Sequence, residues 1–462
     1  MSKHGELTVW HLTMLALGTV IGGSFFLGSS IAIKTAGPGI LISYLFGGLL
    51  VYIILTALSE MTVAKQSPGS FRTFAEQMYG PLVGFVIGWV YWTGLTLAMS
   101  SEATAVSVFL RTWIPNLSIP LMASLIIVGV TLLNLLGAKL LTTLESGLAL
   151  IKISAIVGFI ILAFAFITGL IPNKPALGLG ELASEPLFPR GISGIAGSML
   201  IVMFTYAGFE IIGLAAPEAK NPTYTIPRAI FYTVLGLVGL YSIAIIVLLP
   251  LVPTSELTEE VSPLIAGLQR VGLRWASGLM NAVLIIAILS TMLAAMFGMG
   301  RMVRSLAEKG YAPSWLKDKQ DVPKRGILFS GVGMLVGVGL AYILPSEIYL
   351  FLVSSGGFSL LFAYVIIMAT HFKFRRINGC PPKGNCQLFA YPYTTLFALV
   401  ALIIIIISMP LIPGQGSGLF AGLILVAVYS ISYMIIRARS LLKANKEISL
   451  KSIIGFDEID PD

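Results

Sequence analysis

The chain has 462 residues, of which 56% are hydrophobic and only 11% are charged. Soluble proteins carry about 25% charged residues, so this composition excludes an ordinary soluble domain and predicts a polytopic membrane protein. The net charge of +8 does not indicate nucleic-acid binding here, because an excess of Lys and Arg in the loops on one side of a membrane accounts for it.

Apolar stretches of about the 20 residues that a helix needs to cross a bilayer recur along the whole chain. They predict an all-α fold of about twelve transmembrane helices, at residues 9–34, 39–62, 81–110, 119–138, 146–171, 194–217, 227–250, 275–305, 326–345, 347–371, 394–412 and 417–437. The first stretch lacks a small-residue cleavage site and stays apolar past residue 30, so it does not resemble a cleavable signal peptide. After the second span, residues 64–80 are polar but helix-like and predict a short interfacial helix.

The distribution of basic residues predicts the orientation in the membrane. With both termini inside, few of the 29 Lys and Arg residues fall on the outer side: Lys34, Arg111, Lys174, Arg190, Arg270 and Arg274. Lys152 lies within a span, and the others fall on the inner side. Since positive charges concentrate in cytoplasmic loops, we expect both termini to be cytoplasmic, in a plasma membrane.

Two predicted spans contain helix-breaking residues in their interior. The first contains "GTVIGGSFFLGSS", residues 18–30, although each glycine in a helix costs roughly 0.8–1 kcal/mol relative to alanine. The sixth contains "FTYAGFE", residues 204–210. The two breaks fall at corresponding places in two sets of five spans, a pattern typical of secondary transporters. The alternative is that the glycines only permit close helix packing.

This symmetry divides the chain into two five-helix repeats followed by two further helices. The predicted segments are a cytoplasmic N-terminus (1–8), a first repeat (9–190), a second repeat (191–371), a cytoplasmic loop (372–393), helices eleven and twelve (394–437) and a cytoplasmic tail (438–462). We expect the tail, which ends in the acidic run "GFDEIDPD", to be partly disordered.

An interrupted membrane helix leaves backbone N–H and C=O groups without partners, so it must line a cavity or contact a ligand. The N–H groups and positive dipole end of the half-helix that begins after Ser24 suit a carboxylate. The carbonyls of Ile21 and Gly22 suit an ammonium or a metal cation, and those of Phe204 and Thr205 suit an ammonium. Together the breaks predict a binding site for a zwitterion, an α-amino acid.

Three charged residues lie deep in predicted spans: Glu102, Lys152 and Glu210. They are functional candidates because burial of an unpaired charge is costly; the alternative is a structural ion pair. Glu210 is predicted to face the same cavity as the sixth-span break, where it would hold the broken segment or take up a proton. A buried lysine sheds its proton readily, so Lys152 is predicted to exchange one. Ser290 and Thr291 are expected near the first-span break, or bonded to the preceding helical turn.

The sequence lacks the motifs of other functional classes. It has no G-x-x-x-x-G-K-[ST] loop for an ATP-driven pump, and its three scattered histidines are too few for a catalytic or metal site. We therefore expect neither an enzyme nor a cofactor. Cys380 and Cys386 flank the loop "CPPKGNC" and are expected to be reduced cytosolic thiols, since with only His371 nearby a zinc site would lack ligands.

Several stretches, in this order and spacing, resemble the amino-acid transporter family of the amino acid–polyamine–organocation superfamily, the bacterial and fungal amino-acid permeases. They are "HLTMLALGTVIGGSFFLGSS", "SEMTVAKQSPGSFRTFAEQMYGPLVGFVIGWVYW", "FTYAGFEIIGLAAPEAKNP", "ILSTMLAAMFGMGRMVRSLAEKGYAPSW", "ATHFKFRR" and "FALVALIIIII". The resemblance implies a LeuT-type fold with two inverted five-helix repeats and alternating access around a midplane site. It also implies amino-acid uptake driven by a proton gradient.

The resemblance further implies roles for individual residues. The substrate-binding residues would be Ile21, Gly22, Gly23, Ser24, Phe204, Thr205, Tyr206, Ala207 and Gly208. The proton-coupling residues would be Lys152, Glu210, Glu102 and Ser290. Lys152 matches a fifth-span lysine that stands where sodium-coupled relatives bind a cation, and Ser290 matches a hydroxyl lining that place.

Ser24 stands where the family usually has glycine. Its Cβ would narrow the site and disfavour a positive φ, while its hydroxyl could bond the substrate carboxylate. No acidic cluster beyond Glu102 and Glu210 is apparent, so we expect proton-coupled uptake of a neutral amino acid. The alternatives are an exchanger, a cationic amino-acid permease and, from another class, an amino-acid-sensing membrane receptor.

Overall fold

A computed structural model describes residues 7–64, 70–136, 138–216, 219–258, 260–318, 322–340, 348–380 and 386–454. Side chains are described in these ranges except at 138–146, 214, 348–349 and 440–454. The beginning of the predicted N-terminal segment, the interior of the loop between the two cysteines and the acidic chain end lie outside the described residues.

The described residues fold almost entirely into helices. In chain order these are α1 (Val9–Val20), α2 (Ser29–Ala36), α3 (Ile40–Ala64), α4 (Ser70–Tyr79), α5 (Pro81–Leu110), α6 (Ile119–Asn134), α7 (Ala138–Thr168), α8 (Gly191–Thr205), α9 (Ile211–Ala215), α10 (Pro222–Leu248), α11 (Pro263–Arg270), α12 (Arg274–Glu308), α13 (Lys324–Gly339), α14 (Ile348–Asn378), α15 (Tyr393–Ser408) and α16 (Gln415–Ile454). The β pairing among them is one isolated bridge, between Leu7 and Ala219. The predicted all-α class is confirmed.

Each predicted span overlaps one of these helices or a broken pair of them. By length and hydropathy, eight described helical stretches are able to cross a membrane, and α1, α6 and α8 are shorter apolar helices. The end of the partly disordered tail that the sequence predicts lies outside the described residues, but α16 extends into that tail as far as Ile454. The last part of α16, "LLKANKEISLKSII", contains three Leu and three Lys residues, which are strong helix formers.

Both predicted interruptions are present. In the first span α1 ends at Val20 and Ile21 has an extended backbone (φ −72°, ψ 98°). A π-helical turn, Ser24–Gly28, then leads into α2. In the sixth span α8 ends at Thr205, residues 206–210 form turns, and α9 follows.

Helix α5 lies at the centre of the fold and packs against α14, α12, α6 and α13. Helix α3 packs against α10 and α8. The outer surface is apolar, as on α16, where Phe420 and Ile424 are exposed. Exposed side chains of this kind suit a surface that faces lipid chains, so the buried charges described below lie in the protein interior.

The short helix predicted after the second span is present as α4, and polar contacts join it to the end of α12. The buried Arg72 guanidinium donates to Glu76 at 2.9 Å and to the Ser305 hydroxyl at 3.0 Å. The Tyr311 hydroxyl donates to the other oxygen of Glu76 at 2.9 Å. Burial, together with this bond, raises the pKa of Tyr311, so the phenol stays a donor at neutral pH.

A second polar cluster joins α3, α14 and the segment that enters α15. The Glu60 carboxylate lies 2.7 Å from His371 Nε2, and it accepts the backbone N–H groups of Gln387 (2.6 Å) and Leu388 (2.7 Å). Arg375 donates to both carboxylate oxygens at 3.3 Å. Glu60 and His371 are fully buried, so this cluster anchors three segments through one carboxylate.

Cys380 and Cys386 are joined by a disulfide. The expectation of two reduced thiols is therefore wrong for this structure. The two Cα atoms lie 5.1 Å apart, within the range that a disulfide spans. His371 contacts Glu60 and Thr395 rather than the cysteines.

Candidate functional site

The two helix breaks lie against each other. Gly208, in the sixth-span break, has φ +104°, and a methyl group at its Cα would lie 3.2 Å from the Thr19 carbonyl oxygen. Only glycine adopts this conformation without strain, and only glycine allows so close an approach to the end of α1. The two interruptions therefore lie next to each other inside the protein.

The backbone N–H groups at the first break point at a carboxylate of α5. Gly23 N–H donates to Glu102 Oε2 at 2.7 Å, and Ser24 N–H donates to Oε1 at 3.0 Å. These N–H groups begin a helical segment and so lack partners within it. Glu102 is 3% exposed and caps the segment from a neighbouring helix. A Cβ at Gly23 would collide with this carboxylate, which explains the glycine.

Ser24 takes its place in the break without backbone strain. Among the described residues other than glycine, positive φ occurs at Ser70, Asn173, Asn221 and Ala390 and not at Ser24. The Cβ of Ser24, which would disfavour a positive φ, therefore causes no conflict at this position. Ser24 is one of the residues that line a cavity, so the replacement of glycine here changes the cavity wall.

A chain of hydrogen bonds links the first break to α7 and α12. The Lys152 ammonium donates to the Gly18 carbonyl and, at 3.0 Å, to the Thr291 hydroxyl. The Thr291 hydroxyl lies 3.0 Å from the Ile21 carbonyl oxygen. Lys152 is fully buried, so its cation is held against the C-terminal end of α1, where the helix dipole is negative.

Glu210 holds the sixth-span break. Its Oε2 accepts the Gly208 N–H at 2.8 Å and its Oε1 accepts the Tyr364 hydroxyl at 2.7 Å. Of its two predicted tasks, holding the broken segment fits this geometry. The expected orientation towards the cavity is wrong, because the carboxylate turns back to its own turn and to α14 and is not among the cavity-lining residues.

A cavity of about 50 Å³ lies beside the two breaks. A single water needs about 10–15 Å³ of such space, so the cavity has room for a small group of atoms. Its lining residues are Thr19, Val20, Ser24, Tyr91, Leu95, Ala98, Met99, Glu102, Phe204, Ala207, Gly208, Ile211, Thr291, Ala294, Ala295, Gly298 and Leu360.

Three further predicted binding residues, Gly22, Thr205 and Tyr206, form hydrogen bonds within the protein around the two breaks. The Gly22 carbonyl accepts from the N–H groups of Phe25 and Phe26 at 3.2 Å. The Thr205 hydroxyl donates to the Val202 carbonyl at 2.7 Å. The Tyr206 hydroxyl donates to the Tyr44 carbonyl at 3.0 Å.

The comparison with known proteins agrees with this architecture. The family model described as "Amino acid permease" matches residues 11–446. The chain belongs to the amino acid permease family. The predicted resemblance is thus confirmed, and the permease is a multi-pass membrane protein of amino-acid transport.

Similar proteins cover nearly the whole permease. A gamma-aminobutyric acid permease of Bacillus subtilis is 31% identical over 439 residues, 94% of each chain. The probable threonine/serine transporter YbxG of the same organism is 31% identical over 442 residues, 94% of this chain and 95% of its own. A manganese transporter of Eremococcus coleocola has a similar fold, with a TM-score of 0.55 and 15% identity over 97% of this chain and 98% of its own.

Of the two hydroxyl residues expected near the first break, Thr291 makes the contact, and its neighbour Ser290 is buried on α12. The structure also adds residues to the permease's site that the sequence did not single out. They are Leu95 and Met99 in the α5 wall of the cavity and Gly298 in the α12 wall. Apolar and small residues in an apolar helix carry no sequence signal that separates a cavity wall from ordinary packing.

Proposed function

We propose that the permease takes up a neutral amino acid into the cytoplasm together with a proton, by alternating access around the two helix breaks. The observation that carries this proposal is the pair of hydrogen bonds from Gly23 and Ser24 to Glu102. The same two N–H groups suit the carboxylate of an amino acid. Glu102 therefore occupies the position that we assign to the substrate carboxylate.

Displacement of Glu102 by the substrate gives a physical route to proton coupling. A carboxylate that loses two N–H donors while it remains buried, beside a second carboxylate, is stable only when it takes up a proton. Binding of one substrate thus recruits one proton to Glu102. Release of the substrate returns the N–H groups to Glu102, which then gives up its proton on the same side of the membrane as the substrate.

Lys152 is the second group in this proposal. Its ammonium holds the Gly18 carbonyl and, through Thr291, the carbonyl of Ile21. Loss of its proton would weaken the hydrogen bonds that join α7 to the end of α1. The charge on Lys152 would therefore control the conformational stability of the first break. We assign to it the control of the inner half of the first span and to Glu102 the direct exchange with substrate.

The lining of the cavity supports an uncharged substrate side chain. Leu95, Met99, Phe204 and Leu360 are apolar, and Glu102 is the acidic residue among the lining residues. A cationic side chain would need a second carboxylate, because an unpaired buried charge is costly. The names of the relatives, a gamma-aminobutyric acid permease and a probable threonine/serine transporter, are compatible with small substrates of no net charge.

The remaining assignments follow from charge distribution and chemistry. We propose that both termini lie in the cytoplasm and that the protein resides in the plasma membrane, since the outer loops carry few basic residues. The ammonium of the substrate would contact carbonyl groups around Phe204 and Thr205. The two halves of the chain that contain the breaks, 9–190 and 191–371, would act as the two inverted repeats.

Uptake by purified permease in proteoliposomes tests the proposal. We expect an inside-alkaline pH gradient to drive accumulation of a labelled neutral amino acid, replacement of sodium to have no effect, and a protonophore to abolish accumulation. Counterflow without gradient-driven accumulation would instead identify an exchanger. Binding without transport would indicate a receptor, and competition by lysine and arginine alone would indicate a cationic permease.

A further inference from the structure

Gly298 on α12 is a buried glycine that faces open space. It lines the cavity beside the helix breaks, and a methyl group at its Cα would meet no heavy atom within 4 Å beyond its own helix backbone and chain neighbours. Gly278, on the same helix, also has open space around it, but it is only half-buried and lies outside the cavity lining. The lack of a side chain at Gly298 therefore leaves open space inside the protein rather than at its surface.

Gly298 lies on the same face of α12 as a residue that contacts the first helix break. Thr291, which contacts the first break, and Gly298 lie seven residues apart on one face of the helix, with Ala294 and Ala295 between them. At 1.5 Å per residue, this face runs for about 10 Å along the cavity. All the residues that follow Thr291 along it are small, so the end of the cavity away from the break is open on the α12 side.

We propose that Gly298 is the residue that sets the length of side chain that the permease accepts, by holding open the far end of the cavity. With the substrate carboxylate at Gly23 and Ser24, an extended uncharged side chain runs along the α12 face towards Gly298. The substrate class thus includes neutral amino acids longer than alanine and serine. This inference rests on the proposed function, because it assumes that the amino acid binds at the two breaks.

The expected effect on substrate discrimination follows from the addition of a single methyl group. One methyl group in a tightly shaped binding pocket changes discrimination between substrates by roughly 10- to 200-fold. Gly298→Ala should therefore weaken binding of leucine and methionine by about 10-fold or more, with less than about a twofold change for alanine and glycine. Gly298→Val should extend the loss to intermediate side chains. Met99→Ala, on the opposite wall, should improve binding of long side chains.

Thermal-shift titration of the purified full-length variants with glycine, alanine, serine, valine, leucine and methionine measures this profile without any need for transport. Gly278→Ala is the matched control and should keep the wild-type profile. An unchanged profile in Gly298→Ala, or an equal loss for every amino acid, would overturn the inference. Slower transport with an unchanged binding profile would also overturn it, since that result would assign Gly298 to the exit path.

Two further outcomes separate this inference from the proposed function. If uptake proves independent of pH while Gly298→Ala still loses long substrates selectively, proton coupling fails and the role of Gly298 stands. If the wild type binds no neutral amino acid, both fail. A Gly298→Ala protein that does not fold would overturn the inference as well, because the added methyl group would then meet protein rather than open space.

Discussion

The carboxylate of Glu102 on α5 accepts the backbone N–H of Gly23 at 2.7 Å, although 79 residues separate the two in the chain. The same carboxylate accepts the neighbouring N–H of Ser24. The helix break at which we propose that the substrate carboxylate binds is thus capped by a carboxyl group of the protein itself. Exchange of one carboxylate for the other is the event on which the first prediction depends.

Glu102→Gln should make substrate binding independent of pH. If the wild type takes up one proton with each substrate, as we propose, its apparent Kd should increase by up to about tenfold for each unit by which the pH is raised. The glutamine amide cannot take up that proton, so the slope should vanish and gradient-driven accumulation should be lost, while counterflow continues. Titrations at several pH values measure the slope. Glu256→Gln, a change in an exposed ion pair, is the control, and a pH slope that persists in Glu102→Gln would contradict the mechanism.

Lys152→Ala should abolish gradient-driven uptake, because it removes the ammonium that holds the Gly18 carbonyl and Thr291. We expect uptake to fall by at least about tenfold, equivalent to about 1.4 kcal/mol. Thr291→Val should have a weaker effect in the same direction, and Thr291→Ser should retain uptake because it keeps the hydroxyl. Initial rates in proteoliposomes measure all three. Full activity of Lys152→Ala together with pH-independent uptake would exclude lysine from the coupling.

Ser24→Gly should leave the fold and the two N–H bonds to Glu102 intact, since Ser24 has no positive φ and its bond to Glu102 comes from the backbone. The loss of its side chain widens the cavity, so bulkier neutral amino acids should bind better relative to alanine. Competition assays measure this ratio. Ser24→Ala separates the hydroxyl from the Cβ: if it behaves as Ser24→Gly does, the hydroxyl and not the bulk decides selectivity.

Gly208→Ala should destabilise the protein and impair transport. The substitution combines strain at φ +104° with a contact of 3.2 Å to the Thr19 carbonyl oxygen. Strained backbone of this kind costs about 1–3 kcal/mol. A lower melting temperature in detergent is the expected result. Gly239→Ala on α10, where a methyl group meets nothing within 4 Å, should change it little; equal effects of the two variants would argue against the close approach of the two breaks.

Glu60→Gln should lower thermal stability without changing substrate preference. It removes the charge that pairs with His371 and Arg375 and that binds the Gln387 and Leu388 N–H groups. Removal of one partner of a buried ion pair typically costs about 3–5 kcal/mol. Differential scanning fluorimetry measures the loss, and competition assays at low temperature test the preference. A changed substrate profile at normal stability would instead link this cluster to the substrate site.

The positions of the helix breaks could be predicted from the sequence because glycine and serine in an apolar span are a local signal. The same reasoning found Lys152, Glu102 and Glu210, since an ionisable residue within an apolar run is visible without a structure. Such signals identify a residue but not its partner. Glu210 was expected to face the cavity, yet its carboxylate bonds Tyr364, which is 154 residues away.

Other features had no local signal. The cavity wall at Leu95, Met99 and Gly298 consists of residue types that fill every membrane helix, so only the packing of α5 against α12 distinguishes them. The extension of α16 beyond residue 437 was missed for a different reason. The charged residues of this extension make its composition similar to that of a disordered tail. The helix propensity of the same residues, however, favours continuation of the helix.

The π-helical turn Ser24–Gly28 holds more residues than an α-helical turn at the same place in the first span would hold. A turn of α-helix uses 3.6 residues, and the wider π turn holds about one residue more. If this turn rewound as α-helix, the extra residue would pass into the break at Ile21–Gly22 and α2 would rotate by roughly 100° about its axis. Such a change would move Ser24 away from Glu102, while the backbone hydrogen bonds of this segment would re-form one position along the chain.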